Sequence, residues 1–311
     1  MVAIMSEVVA PAPAEKVSTA PAGVPAHAPA VASACKPTVW EVPRSLSPSR
    51  VEAFLSCPLQ FRFASIERLP DPPSIHTTRG SLVHRALELL FLKPATERTA
   101  AALDRCVDAA IAEYREHPDF TGLGLDEGAA IRFESECRQL AANYLNLEDP
   151  TRVRAIGLEL MLEAPVGELT LRGIIDRLDL DEHGDLIVTD YKTGRAPSPN
   201  FERKSMSGVH FYAFLCESVF GRRPAAIRLM YLKSGEVITA RPSDQSTRFM
   251  TTRTTAVWQA VATACARDDF RPRPGALCQY CAYQRWCPSY GGDPSRAAEE
   301  APVALTGARA A

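Results

Sequence analysis

Residues 173–194 carry two runs of alternating apolar and polar side chains, joined by a short turn. This alternation predicts a β-hairpin with Glu182-His183-Gly184 in the turn. Every second side chain of a strand points to the same face, so Asp190 and Lys192 are expected side by side on the second strand. Asp176 follows an apolar pair on the first strand and is expected to reach the same end of the hairpin. The hairpin therefore predicts that two carboxylates and one amine converge.

Two carboxylates beside a lysine are typical of metal-assisted chemistry on phosphate esters. Carboxylate oxygens hold a hard divalent cation such as magnesium, which also binds substrate phosphate. A neighbouring lysine steadies the attacking water or the charge that builds on phosphorus. The alternative is a pair of plain salt bridges, Asp190 with Lys192 and Asp176 with Arg177. The apolar residues that frame both acids favour the metal site.

The hairpin also resembles a known family. The segment Gly173-Ile-Ile-Asp176-Arg177, followed by Asp190-Tyr191-Lys192-Thr193-Gly194, is similar to the central motif of the PD-(D/E)XK nucleases. Within that superfamily it resembles the RecB-like exonuclease branch, which includes CRISPR-associated RecB-like nucleases and the AddB nuclease domain. The resemblance implies an α/β fold, a restriction-endonuclease-like core with a mixed central sheet flanked by helices, and metal-dependent DNA cleavage.

Two further positions enter the site through this resemblance. His84 lies four residues after Gly80 near the start of a helix, where a histidine taken alone is more often an ordinary surface or core residue. The spacing matches the first nuclease motif of the family, whose histidine joins the metal shell. Glu159, in the alternating run 156–163, corresponds to an acid on the strand before the hairpin, with Glu163 as the alternative in the other register.

A third position departs from the family pattern. Tyr212 matches the tyrosine of a Gln-x-x-x-Tyr motif, but Gly208 stands in place of the glutamine, which predicts weaker catalysis. His210 lies two residues along the helix, on a different face, so it is not a substitute. The resemblance implies that magnesium or manganese is held by His84, Asp176, Asp190 and the Tyr191 carbonyl, and that catalysis involves Asp176, Asp190 and Lys192, supported by Glu159 and Tyr212.

Nine cysteines, an odd number in a chain without an export signal, favour reduced thiols or metal ligation over disulfides. Cys278, Cys281 and Cys287 lie within ten positions, and ligation by sulfur alone selects zinc or an iron-sulfur cluster. A zinc ribbon normally has a second local cysteine pair, which this segment lacks, so the fourth ligand must be remote. Cys57 is the natural candidate. Its segment, LSPSRVEAFLSCPLQFRF, resembles the opening motif of cluster-bearing RecB-like nucleases, which implies a small 4Fe-4S cluster lobe.

Composition defines the predicted domain. The Ala/Pro-rich residues 1–42 and the Ala-rich residues 293–311 are predicted to be disordered tails, which leaves 43–292 as the nuclease domain with its cluster lobe. The formal net charge is −2, so a DNA site must be a local patch. No apolar run approaches the roughly 20 residues that span a bilayer, and no secretion signal is present, which predicts a cytoplasmic protein without a membrane segment.

The expected substrate follows from what the sequence lacks. No Gly-Lys dipeptide occurs, so there is no Walker A loop and no built-in helicase motor. The expected partner is therefore DNA that is single-stranded or has free ends, with a separate helicase as a further partner.

The function expected is that of an exonuclease in DNA repair, recombination or related processing. One alternative is a DNA-binding or scaffold protein with a weak or inactive nuclease site, for which Gly208 argues. Another is a zinc-ribbon interaction protein.

Overall fold

A mixed six-stranded sheet lies at the centre of the fold, within residues 39–197 and 202–307, which the computed structural model describes. Its strands are β1 (Ser45–Leu46), β2 (Arg154–Val166), β3 (Leu169–Leu180), β4 (Leu186–Lys192), β5 (Ala226–Tyr231) and β6 (Glu236–Ala240). β3 pairs with β2 along one edge, and along the other edge with β1 near its start and β4 near its end. The β1–β3 and β4–β5 pairs are parallel and the others antiparallel, which confirms the predicted mixed sheet.

Helices cover both faces of this sheet. In the described part they are α1 (Pro48–Ser56), α2 (Pro58–Phe61), α3 (Ile75–Phe91), α4 (Ala100–Arg115), α5 (Pro118–Thr121), α6 (Glu127–Tyr144), α7 (Glu202–Phe220), α8 (Asp244–Arg267) and α9 (Ala297–Gly307). Val188 and Leu229 are buried in a core shared with α1, α7 and α8, whereas Tyr191 and Met230 are buried with α3, α4 and α6. None of these helices is both long and apolar enough to cross a membrane.

The predicted hairpin is confirmed, and its turn has a clear local cause. The Oδ1 atom of Asp181 accepts hydrogen bonds from the backbone N–H groups of His183 and Asp185, at 2.9 and 2.8 Å. Gly184 has a φ of +79°, a conformation that glycine adopts without a steric penalty. Alternate residues of β4 then face different cores, since Val188 and Tyr191 belong to opposite sides of the sheet.

The break predicted at Cys57 is also present. Ser47 caps α1 by accepting a hydrogen bond from the N–H of Arg50 at 3.3 Å, and Pro48 occupies the first helical position. Cys57 adopts an extended conformation with a φ of −156°, because the residue before a proline is disfavoured in the helical region. Pro58 then begins α2, so Cys57 lies at the junction of two short helices.

The structure differs from the predicted boundaries at both ends of the domain. Trp40, inside the segment predicted to be disordered, packs against the core and donates from Nε1 to Asp268 at 2.7 Å. The second predicted tail, 293–311, contains helix α9, in which Ala297 and Ala301 are fully buried. Small side chains let α9 approach the core closely, which composition does not distinguish from a low-complexity tail. The predictions for residues 1–38 and 308–311 lie outside the described residues.

Candidate active site

Asp176 is held at the end of the hairpin by the backbone of the neighbouring strand. Its Oδ2 atom accepts a hydrogen bond from the N–H of Tyr191 at 2.7 Å. His84 lies on α3, and its Nδ1 atom is 3.5 Å from the same carboxylate oxygen. The Nε2 atom of His84 donates to the carbonyl of Tyr191 at 3.0 Å. The backbone of β4 therefore orients both the carboxylate and the imidazole.

Glu159 completes a group of three ligands. It lies on β2 between the paired positions Leu158–Arg177 and Leu160–Ile175, opposite Asp176. One ligand atom from each of His84, Glu159 and Asp176 lies within 4.8 Å of the other two. Glu159 has a φ of +43°, in the left-handed region that costs a non-glycine residue about 1–2 kcal/mol. Such strain is concentrated at functional sites.

Glu163, the other predicted candidate for the supporting acid, lies elsewhere. On β2 it faces Arg172 of β3, with which it forms an exposed ion pair at 3.0 Å. The structure therefore brings Glu159, and not Glu163, to the group of ligands.

The electrostatics of the three-ligand group suit a divalent cation. Burial and the nearby Asp176 carboxylate raise the pKa of Glu159 to about 7. Burial alone would lower the pKa of His84, but the hydrogen bond and charge of Asp176 outweigh it and raise that pKa. Like charges held together without a counterion favour protonation. Oxygen and imidazole donors are those that magnesium and manganese accept, so these residues fit the predicted metal.

Asp190 and Lys192 lie beside this group but pair with each other. Lys192 Nζ lies 2.5 Å from Asp190 Oδ2, and the Asp190 side chain is 7% exposed against 45% for that of Lys192. Burial raises the pKa of Asp190, although the Lys192 charge opposes this. The structure thus contains the ion pair that the sequence offered as an alternative, and the group of three ligands includes Glu159 in place of the expected Asp190.

Helix α7 closes the site from the side of Asp190. Tyr212 and Gly208 line one cavity of about 520 Å³ together with Asp190 and Lys192. Burial raises the pKa of Tyr212, as do the neighbouring Asp190 and Asp176 carboxylates, so its hydroxyl stays protonated. Among the described residues, and apart from the adjacent backbone of the helix itself, no heavy atom lies within 4 Å of the position that a Cβ on Gly208 would occupy. The cavity therefore has open space where the family glutamine is absent.

A buried ionic cluster behind the site was not predicted. Arg177 is fully buried and lies 2.8 Å from Asp179 and 2.6 Å from Glu148, and it donates to the Tyr191 hydroxyl at 2.7 Å. The alternative that paired Asp176 with Arg177 does not hold, because Arg177 pairs with Asp179 and Glu148 instead. Arg177 and Asp179 lie two residues apart on one strand, so the sequence alone could have predicted their pairing. Glu148 lies after α6, far away in the chain, and no local pattern predicts its contact with Arg177.

The family model of the PD-(D/E)XK nuclease superfamily matches residues 45–288. The chain belongs to this superfamily. Its members are nucleases, and the group of carboxylates and imidazole at the end of the sheet lies within the matched region. The predicted motif residues Asp176, Asp190 and Lys192 lie within the matched region.

Relatives of this nuclease are larger proteins. The chain is 31% identical over 159 residues to one subunit of the ATP-dependent helicase/deoxyribonuclease of Streptococcus equi subsp. zooepidemicus, covering 49% of the chain and 14% of the relative. It is 32% identical over 168 residues to one subunit of the ATP-dependent helicase/nuclease of Moorella thermoacetica, covering 50% of the chain and 12% of the relative. The chain thus spans only a small part of either relative. With the superfamily match, these similarities support a DNA nuclease.

A solved structure supports the fold of the nuclease. The crystal structure of a candidate exonuclease from Eubacterium rectale aligns with a TM-score of 0.50 and 10% identity, over 78% of this chain and 88% of that one. At this identity the alignment supports the fold alone.

The four cysteines predicted to hold a cluster come from two separate segments of the chain. Cys57 lies at the junction of α1 and α2, Cys278 lies in a short 3-10 turn, and Cys281 and Cys287 each directly follow such a turn. Burial raises the pKa of Cys281, and the three other thiols raise it further. Among the residues that the structure describes, no three of these sulfurs lie within 4.8 Å of one another.

The cysteine-bearing segment is fixed to the domain by its aromatic residues. Tyr283 and Trp286 are each only 2% exposed, and Trp286 donates from Nε1 to Glu300 of α9 at 2.8 Å. The N–H of Gly292 donates to the carbonyl of Cys287 at 3.0 Å, and a Cβ at position 292 would lie 2.2 Å from the carbonyl oxygen of Arg285. Glycine is therefore required where the chain folds back over the third cysteine.

Proposed function

We propose that this chain is a magnesium- or manganese-dependent deoxyribonuclease that acts as an exonuclease in DNA repair, recombination or related DNA processing. The observation that carries the proposal is the approach of His84, Glu159 and Asp176 to within 4.8 Å, next to Asp190 and Lys192. Acidic oxygens and an imidazole that hold a metal ion, with a lysine nearby, are groups that suit phosphodiester hydrolysis.

His84, Glu159 and Asp176 would hold the divalent cation, together with Asp190 and the Tyr191 carbonyl. When bound, the cation supplies charge stabilisation and lowers the pKa of a bound water. Glu159 contributes its charge only when deprotonated, so metal binding competes with a proton near neutral pH. Because the backbone N–H of Tyr191 already orients Asp176, little rearrangement is needed to present that carboxylate.

Lys192 acts as a fixed positive charge. Burial disfavours its ammonium form, but the Asp190 carboxylate outweighs this and raises the pKa of Lys192. The amine therefore stays protonated at neutral pH and stabilises the charge that builds on phosphorus in the transition state. Tyr212 lines the same cavity as Asp190 and is proposed to donate to that carboxylate and keep it in place.

The substrate of this site is DNA that is single-stranded or has free ends. The names of the two relatives combine helicase with nuclease, which supports a separate helicase as the partner that delivers unwound DNA. The net charge of −2 means that DNA contacts are local and not spread over the whole surface.

The test of this function is cleavage of end-labelled single- and double-stranded DNA with magnesium or manganese. The chain is expected to shorten labelled strands from an end, and Lys192→Ala is expected to slow the chemical step by orders of magnitude while metal still binds. If the chain binds DNA but cleaves no faster than Lys192→Ala, the scaffold function replaces the nuclease function. Release of internal fragments first would contradict the exonuclease mode.

Replacement of Gly208 by glutamine is expected to raise the cleavage rate. The cavity has open space at Gly208, so the new side chain can reach toward Lys192 and Tyr212 without displacing other groups. Removing a helical glycine also stabilises α7 by up to about 1 kcal/mol. Gly208→Ala is the matched control, since it gains the helical stability without the amide. Equal rates for both variants in single-turnover assays would show that the site needs no amide there.

Cys57, Cys278, Cys281 and Cys287 are proposed to hold a 4Fe-4S cluster. The proximity of Cys57, Cys278 and Cys287 to Cys281, whose pKa they raise, supports this assignment. Cys57 comes from the start of the domain and the others from its end, so a bound cluster ties both ends together. Closing so long a loop restricts the unfolded chain, which gives the cluster a structural role.

Anaerobically purified protein is expected to contain iron and acid-labile sulfide in equal amounts. Cys57→Ser and Cys287→Ser are each expected to lose the visible absorption of the cluster and to lower Tm, because metal binding is coupled to folding. Cys216→Ala is the matched control, since Cys216 is a fully buried thiol of α7 in the apolar core. Zinc without sulfide in the purified protein would contradict the assignment.

A further inference from the structure

Three arginines gather beside the active-site cavity. Arg50 of α1 donates from Nη1 to the carbonyl of Ser45 at 3.4 Å and from Nη2 to that of Ser65 at 3.5 Å. Ser45 pairs with the start of β3, two residues before Arg172. Arg68 follows Ser65 by three residues in the connection to α3. The guanidinium group of Arg50 thus lies between the chain segments that carry the other two arginines.

Only one ion pair balances this cluster among the described residues, that of Arg172 with Glu163. In the part of the chain that the structure describes, neither Arg50 nor Arg68 forms an ion pair, and Arg172 has only its exposed pair with Glu163. Burial lowers the pKa of Arg50, and the charges of Arg68 and Arg172 lower it further. Like charges held together are relieved by an anion, and guanidinium groups bind phosphate oxygens with two parallel hydrogen bonds.

The backbone of Arg68 indicates that this arrangement is maintained against a steric preference. Arg68 has a φ of +55°, in the left-handed region where a Cβ is disfavoured and glycine is not. An exposed position of this kind suits glycine or asparagine better than arginine. Residues held in such conformations are concentrated at binding and catalytic sites.

The cluster lies at a defined distance from the metal ligands. Arg172 lines the same cavity as Asp190 and Lys192, and it precedes Asp176 by four residues on β3, about 13 Å at the rise of a strand. Between them lies the cross-strand pair of Met161 and Ile174, exposed by 51% and 43%. This apolar pair offers contact to a sugar or base. An anion at the cluster is therefore too far from Asp176 to be the group that is cleaved.

We infer that Arg50, Arg68 and Arg172 form a phosphate-binding subsite that holds a phosphate of the DNA strand away from the scissile bond. The inference rests on the proposed nuclease function for the identity of the strand. The subsite positions the strand across Met161 and Ile174, so it affects the binding of oligonucleotides and leaves the chemical step on a small ester unchanged. The group that the subsite binds is a phosphate of the DNA strand, either an internal diester or a terminal monoester.

The test compares wild type with Arg68→Gly and Arg50→Gln, and uses Arg241→Gln, an exposed arginine after β6, as the control. Binding of a fluorescent single-stranded oligonucleotide is measured by anisotropy with calcium in place of magnesium. Arg68→Gly and Arg50→Gln are each expected to weaken binding about tenfold and to reduce the salt slope by about 0.7 for one lost phosphate contact. Arg241→Gln is expected to match wild type. The Tm of Arg68→Gly is expected not to fall, because glycine accepts the backbone conformation.

A second, smaller substrate distinguishes an effect on the subsite from an effect on the catalytic site. Cleavage of the p-nitrophenyl ester of thymidine 5′-phosphate is expected to be equal in wild type and both variants. If binding of the oligonucleotide is unchanged in the variants, or absent in wild type, the subsite is wrong. Failure of wild type to cleave either substrate, with the binding differences intact, would instead remove the nuclease function. An oligonucleotide without its 5′-phosphate distinguishes the two kinds of phosphate. If its affinity for wild type is tenfold lower, the subsite binds a terminal monoester. If its affinity is unchanged, the subsite binds an internal diester.

Discussion

Replacement of Asp176 by asparagine is expected to lower metal-dependent cleavage by about 10³-fold or more while the protein stays folded. The amide keeps the shape of the side chain, and its oxygen can still accept the hydrogen bond from the N–H of Tyr191. The negative charge that faces His84 and Glu159 is lost, however. A metal ion stabilises a transition state by several kcal/mol, and each 1.36 kcal/mol is about tenfold in rate. Single-turnover cleavage and calorimetric titration with manganese measure the two effects.

A matched carboxylate on the same hairpin separates this effect from a general change in charge. Asp185 lies in the turn and forms an exposed ion pair with Arg222 at 3.2 Å, away from the metal ligands. Asp185→Asn is expected to cleave DNA and bind manganese like wild type. Full manganese affinity in Asp176→Asn would place the metal on other residues. Equal losses in the two variants would mean that overall charge, and not the ligand group, controls the rate.

Local periodicity explains why the hairpin and its acids could be predicted from the sequence. A period of two residues predicts which side chains share a face, so the proximity of Asp190 and Lys192 follows from their spacing alone. The same periodicity does not predict which partner a charged group chooses. Whether Asp190 pairs with Lys192 or turns toward Asp176 depends on distances that only the folded sheet contains.

Other parts of the site depend on contacts between distant segments. His84 and Glu159 reach Asp176 from a helix and a strand that precede the hairpin, so only the family resemblance indicated them. Glu148 and Arg177 lie on either side of the whole of β2, and no periodic pattern links two charged residues across a strand of that length. The helix α9 was missed for a different reason: its buried residue Ala301 contributes little to any hydrophobic pattern, although its small size is what allows close packing.

Replacement of Arg177 by methionine is expected to destabilise the protein by about 3–5 kcal/mol at pH 8. Methionine has a similar length but no charge, so Asp179 and Glu148 would remain buried without their cation. In wild type, burial would raise the pKa of Glu148, but Arg177 outweighs it and lowers that pKa. Without Arg177, burial dominates and the pKa rises. The loss of stability is therefore expected to be smaller at pH 5.5, where these carboxyls can take up protons.

Urea unfolding at both pH values measures this effect, and a surface ion pair provides the control. Arg115 bonds to Glu134 at 2.8 Å with its side chain 62% exposed, so Arg115→Met is expected to cost less than about 1 kcal/mol. Arg177 also holds the hydroxyl of Tyr191, whose backbone orients Asp176 and His84, so the methionine variant is expected to cleave DNA more slowly even when folded. A cost similar to that of Arg115→Met, or one that grows as the pH falls, would show that the cluster does not depend on the charge of Arg177.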